Sequence, residues 1–161
     1  MIKKNKIITD YKIALQKAGR YCAHEEKSIF DLKSKLKSWN VDPSLREEII
    51  DELKKQNYIN EERYAKVFTS GKVRIKKWGR IKIANQLRAK KISEDYIDKA
   101  LRSIDEEKYS LNLQHLISQK SSLVKGKTEN EKKMKLIQFL MAKGYEQEQI
   151  YKEINRHGNR R

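Results

Sequence analysis

Residues 60–93 read NEERYAKVFTSGKVRIKKWGRIKIANQLRAKKIS. From Arg63 to Ser93 there is no acidic residue, yet Arg63, Lys66, Lys72, Arg74, Lys76, Lys77, Arg80, Lys82, Arg88, Lys90 and Lys91 all fall there. Elsewhere acids and bases are mixed, so this block is a local departure. Asn60 is placed as an N-cap, with Glu61 and Glu62 in the first turn where negative charge suits the helix dipole. At about 100° per residue, Tyr64, Phe68, Gly71 and Ile75 share one side of a helix. Arg63, Lys66, Ser70, Arg74 and Lys77 form a stripe beside it. The spacing predicts one buried face and a row of cations roughly 20 Å long. Trp78-Gly79 ends this helix. A second follows, with Ile83, Ala84 and Leu87 inward and Arg80, Lys82, Arg88 and Lys91 outward. Such a surface is suited to a polyanion.

Outside the block the helical signals continue. Residues 1–10 read as a flexible basic arm. Tyr11 to about His24 places Ala14, Leu15, Ala18 and Cys22 along one side. Ser28 with Asp31 makes a box-like start to a helix carrying Ile29, Leu32 and Leu36. Asp42-Pro43 sets a cap and an N1 proline in the favoured order, ahead of Leu45, Ile49, Ile50 and Leu53. After the block, Ser93 caps Tyr96, Ile97, Ala100, Leu101 and Ile104, and Asp105 opens a longer helix with Tyr109, Leu113, Leu116 and Ile117. Residues 125–128 read as a loop. Met134, Ile137, Leu140 and Met141 are expected inward on the next helix, which Gly144 closes as a C′ residue. A last helix carries Ile150 and Ile154, and residues 156–161 read as a disordered tail.

A repeat emerges on alignment. Leu36-x4-Val41 recurs as Leu87-x4-Ile92 and Leu140-x4-Tyr145, and Leu32, Ile83 and Leu136 stand four residues before each leucine. The period is about fifty residues. The expected fold is all-α: three tandem three-helix repeats over 11–58, 59–105 and 106–155, stacked as an elongated array. The middle repeat is the most basic.

Bulk composition limits the function classes. Across 161 residues there are 38 Lys plus Arg against 22 Asp plus Glu, a formal charge of +16. That favours nucleic acid, an anionic membrane face or an acidic protein as partner. Hydrophobic residues make up 37%, which implies a thin core built from narrow stripes. Cys22 is the one cysteine, so neither an internal disulfide nor a thiolate cluster can form, in keeping with a cytoplasmic setting. No run approaches a membrane span, and the N-terminus has no secretory-signal pattern.

The segments HEEKSIFDLKSKL, YINEERYAKVFTSGKVR and GRIKIANQLRAKKIS resemble the RecX family of regulatory proteins, which are built of tandem three-helix repeats. The resemblance covers about residues 11–155. It is strongest in the middle repeat, at Glu62-Arg63-Tyr64-Ala65, Gly79-Arg80 and Leu87-Arg88-Ala89-Lys90-Lys91-Ile92. It implies binding to the RecA recombinase filament on single-stranded DNA, with double-stranded DNA as a further target. It also implies inhibition of strand exchange, ATP hydrolysis and co-protease activity. Three positions depart from the family pattern: Lys76-Lys77-Trp78-Gly79-Arg80 at the turn between the basic helices, Lys91 where glycine is common, and His24 where arginine is usual.

On this reading the binding residues are Arg63, Lys66, Lys72, Arg74, Lys76, Lys77, Trp78, Arg80, Lys82, Arg88, Lys90 and Lys91. Cation rows bind phosphate by charge and counterion release. Trp78 offers either a cap contact or a stacking platform, while Tyr64 is expected in the core. No catalytic residue, metal site or cofactor is expected. His24, His115 and His157 are far apart in sequence, with no HExxH. Glu25-Glu26 and Glu47-Glu48 read as solvated helix charges. Residues 126–128, GKT, lack the earlier glycine of a nucleotide loop. A monomeric, non-enzymatic regulator is expected, with a sequence-independent DNA-binding repeat protein as the alternative and a phosphodiester-cleaving enzyme last.

Overall fold

The structure, a computed structural model, describes residues 6–160. Among these residues there are nine α-helices. The first repeat holds α1 (Tyr11–His24), α2 (Ile29–Ser38) and α3 (Pro43–Lys55). The second holds α4 (Glu61–Gly71), which runs on into a π-helical turn (Lys72–Lys76), then α5 (Arg80–Ala89) and α6 (Glu94–Arg102). The third holds α7 (Glu106–Ser121), α8 (Glu129–Ala142) and α9 (Gln147–Gly158). The fold is a tandem array of three three-helix repeats. No described helix is long and apolar enough to cross a membrane.

Helix starts follow local chemistry. Ser28 and Asp31 form a reciprocal capping box. Side chains of Asp10, Asp42, Asn60, Ser93, Asp105 and Thr128 each accept an N–H from the first turn of their helix. Thr128, read from sequence as loop, is thus the cap of α8.

Each repeat has its own core. Leu36, Leu87 and Leu140 are all fully buried at the centres of three separate clusters. The residue that follows each turn, Val41, Ile92 or Tyr145, is buried beside its leucine. Its N–H donates back to that leucine's carbonyl at 3.0, 3.1 and 3.3 Å respectively. Making that bond requires the preceding residue to be left-handed: Asn40 has φ 56°, Lys91 φ 60° and Gly144 φ 94°. Lysine has no special tolerance for this region. Lys91→Gly is therefore expected to stabilise the second repeat by about 1 kcal/mol, seen as a rise in its thermal midpoint.

Several expectations are corrected. Ile75, expected inward, is 65% exposed, while Val73 is buried. The π turn adds a residue to the helical circuit, so the inward register passes from Thr69 to Val73 and on to half-buried Trp78. Met134 and Met141, expected inward, lie about half exposed, and Leu136 joins Ile137 and Leu140, buried as expected, in the core. The flexible arm is pinned where it is described. Ile8 N–H donates to Asn40 O, and Asp42 N–H donates to Ile8 O, both at 2.9 Å. Residues 1–5 of that arm lie outside the described residues, as does Arg161 of the tail. Arg156 and His157 belong to α9, which extends to Gly158.

The second and third repeats meet backbone to backbone. Gly79 N–H donates to Lys143 O at 2.8 Å, and Ile81 N–H to Gly144 O at 3.0 Å. Ile104 packs on both the second and third cores.

Candidate nucleic-acid interface

The eleven basic residues of the 63–93 block divide into three groups by what they touch. The first group is held by carboxylates of the flanking repeats. Arg63 on α4 pairs with Glu26 of the first repeat, and its guanidinium also donates to Asn57 O at 3.0 Å and to Asn57 Oδ1 at 3.2 Å. Lys90, at the end of α5, pairs with Asp31. Burial raises the Asp31 carboxyl pKa, but hydrogen bonds from Lys90 and Ser28 outweigh it and hold the group below its ordinary value.

Arg80 opens α5 and closes the other junction. It pairs with Glu106 and, at 3.0 Å, with Glu146. Its guanidinium carbon sits 4.1 Å from the Tyr109 ring centroid. Tyr109 Oη accepts the Arg80 backbone N–H at 2.9 Å and donates to Glu146 Oε2 at 2.6 Å. Burial and the Glu146 contact push the Tyr109 phenol far above its usual range. Arg80, expected outward, is a clamp between repeats, with a side chain only 19% exposed.

The second group is paired within its own repeat at the surface. Lys66 meets Glu62 at 3.1 Å, and Arg88 grips Glu94 through Nε and Nη2 at 2.6 and 2.9 Å. Exposed pairs of this kind contribute little to stability and exchange readily for another anion.

The third group is Lys72, Arg74, Lys76, Lys77, Lys82 and Lys91. Among the described residues none of these six meets a carboxylate within ion-pair distance. Arg74, Lys76 and Lys91 are exposed. Lys72 and Lys82 lie against the half-buried Trp78 ring, 4.8 and 4.6 Å from its centroid, and that ring also makes an edge contact with Phe68. Trp78 therefore orders two ammonium groups around one aromatic plane. Lys77 is left-handed (φ 51°), and its carbonyl accepts from Tyr145 Oη at 2.8 Å. That bond fixes the turn from which Lys76 and Lys77 project. Tyr64 is buried in the core as expected.

Sequence reasoning missed the acidic partners. Glu26, read as solvated, is the partner of Arg63, and its Oε2 is buried with no hydrogen bond among the described residues. Nothing in the sequence pattern tied Asp31, Glu106 or Glu146 to the basic block. The one available signal was position, since each stands at the N-cap or in the first turn of a helix in a flanking repeat.

A three-unit helical array with a basic middle unit is the class that this fold and surface define. The segment 60–101 matches the model of the RecX second three-helix domain, and 112–154 matches that of the RecX third three-helix domain. The chain belongs to the RecX family. Regulatory protein RecX of Clostridium beijerinckii is 33% identical over 77% of this chain and 60% of its own length. That of Prosthecochloris aestuarii is 26% identical over 91% of this chain and 95% of its own. The Lactobacillus johnsonii protein is matched over half its length, so the chain spans between half and six-tenths of some of its relatives. A crystal structure of regulatory protein RecX shares the fold with TM-score 0.83 at 22% identity, covering 90% of this chain and 71% of that one. RecX from Lactobacillus salivarius gives 0.79 at 20%, covering 91% and 95%.

Proposed function

We propose that the chain is a non-enzymatic regulator that docks on the RecA recombinase filament assembled on single-stranded DNA. It inhibits the recombinase, ATPase and co-protease activities there, in the setting of DNA repair and the SOS response. The observation that carries this reading is the set of six cations that residues 63–93 of this RecX-family chain leave without a carboxylate partner among the described residues. Lys72, Arg74, Lys76, Lys77, Lys82 and Lys91 bind DNA phosphate or an acidic filament surface, with Lys66 and Arg88 recruited from their exposed pairs. Arg63, Arg80 and Lys90 hold the flanking units in line. Those units, divided near 58/59 and 105/106, extend contact to neighbouring protomers at high effective concentration. The protein acts as a cytoplasmic monomer without a cofactor.

The test is ATPase inhibition on pre-formed filaments, at a salt concentration that abolishes binding to naked DNA. Persistent inhibition is expected. Loss of inhibition together with naked-DNA binding would make the chain a sequence-independent DNA-binding repeat protein with no recombinase partner. Divalent-metal-dependent plasmid cleavage would point instead to an enzyme.

A further inference from the structure

Where the second and third repeats meet, a cleft of about 440 Å³ opens beside the π turn. Its walls include Thr69, Val73 and Arg74 on one side and Lys108, Leu111 and Asn112 on the other. We propose that this cleft docks an acidic peptide segment that carries an aliphatic anchor residue.

Three observations point there independently. The first is an unmet polar group. Thr69 is 1% exposed, and its Oγ1 has no hydrogen-bond partner among the described residues. Buried hydroxyls are ordinarily satisfied, and an orphan lining a cleft marks a place where a ligand's main-chain amide or carbonyl completes the pairing.

The second is the chemistry of the wall. Val73 and Leu111 are aliphatic, and Leu111 is 54% exposed although it lines a concavity. Among the described residues no aromatic ring lines the cleft, so none of them offers a face on which a nucleobase would stack. An aliphatic side chain fits it better than a base does.

The third is charge. Arg74 and Lys108 flank the opening, and neither meets a carboxylate within ion-pair distance among the described residues. Asp105 also lines the cleft, but its Oδ1 is engaged at 3.0 Å by the Lys108 backbone N–H as the cap of α7. The rim is therefore net positive around an apolar floor.

The π turn is what shapes the site. Its Val73 carbonyl is taken up by Asn112 Nδ2–H at 2.9 Å, which ties the two walls together. Insertions of this kind often accompany binding sites. The proposal shares only Arg74 with the cation strip, and it stands apart from the filament reading because Thr69, Lys108, Leu111 and Asn112 all lie outside that strip.

The test uses the full chain and two short fluorescein-labelled peptides, Glu-Glu-Leu-Glu-Glu and Glu-Glu-Ser-Glu-Glu, beside an oligothymidylate. The leucine peptide is expected to bind about tenfold more tightly than the serine peptide. It should also shift the amide resonances of Thr69, Leu111 and Asn112. Leu111→Ser removes an exposed side chain and should abolish that tenfold preference while leaving oligothymidylate binding intact. Thr69→Val should raise the thermal midpoint, because it deletes the orphan hydroxyl, and yet weaken the leucine peptide several-fold. Equal binding of the two peptides would reduce the site to charge alone and overturn the proposal. So would peptide affinity unchanged in both variants, or shifts at these amides produced by oligothymidylate and not by peptide, which would make the cleft a nucleic-acid site. Failure of the filament assay with success here would discard the recombinase partner and keep the cleft.

Discussion

Gly79→Ala is expected to cost on the order of 3–5 kcal/mol and to uncouple the third repeat from the second. Gly79 is buried where two backbones touch. A Cβ there would stand 2.2 Å from both the carbonyl carbon and oxygen of Gly144, and 2.3 Å from Tyr145 N. No side-chain rotation relieves a clash with backbone, so the chains must part. Parting breaks the Gly79–Lys143 and Ile81–Gly144 hydrogen bonds together. Gly144→Ala is expected to be at least as severe, since its Cβ would meet Lys82 Cβ at 2.3 Å and its φ of 94° disfavours any side chain. Gly71→Ala is the control. Among the described residues nothing lies within 4 Å of its added carbon, and in a helix the change should stabilise by about 0.5–1 kcal/mol. Urea unfolding followed by helicity checks all three. A single wild-type transition for Gly79→Ala would show that the glycine contact does not join the repeats.

Arg80→Met is expected to destabilise by about 2–3 kcal/mol, or about 5–10 °C in thermal midpoint. The change keeps the aliphatic bulk and removes the charge. Glu146 then keeps only the Tyr109 hydroxyl as partner in a half-buried position. The figure is set below that of a fully buried pair because Glu146 remains 32% exposed and Glu106 74% exposed. The double variant Arg80→Met/Glu146→Gln should recover part of the loss, since no unpaired charge is then left behind. A double variant no more stable than Arg80→Met would mean that stacking on Tyr109, not the ion pair, is what Arg80 contributes.

The repeat architecture was legible because its determinants are local. Helix caps act within three residues, and the leucine of each second helix reports a 3.6-residue stripe whose centre is always buried. Leu36, Leu87 and Leu140 each sit at zero exposure. The π turn was not legible: a 100° wheel carried Ile75 inward, and one extra residue in the turn carried it out. The division of the cations was hidden for a different reason. The carboxylates that engage Arg63, Lys90 and Arg80 lie 37, 59, 26 and 66 residues away in the chain. Charge counting along the sequence sees a run of eleven cations. Only the packing of repeats shows that three of them are already committed to neighbours.

The most direct measurement is the salt dependence of single-stranded DNA binding for two paired variants. Arg74→Gln/Lys77→Gln removes cations that have no carboxylate partner among the described residues. Arg63→Gln/Lys90→Gln removes cations spent on Glu26 and Asp31. The first pair is predicted to lower the slope of log K against log salt by about 1.4, roughly 0.7 for each phosphate that is no longer neutralised. The second pair should leave the slope unchanged while lowering stability. An equal drop in slope for both pairs, or a larger drop for the second, would contradict the assignment of binding to the uncompensated cations.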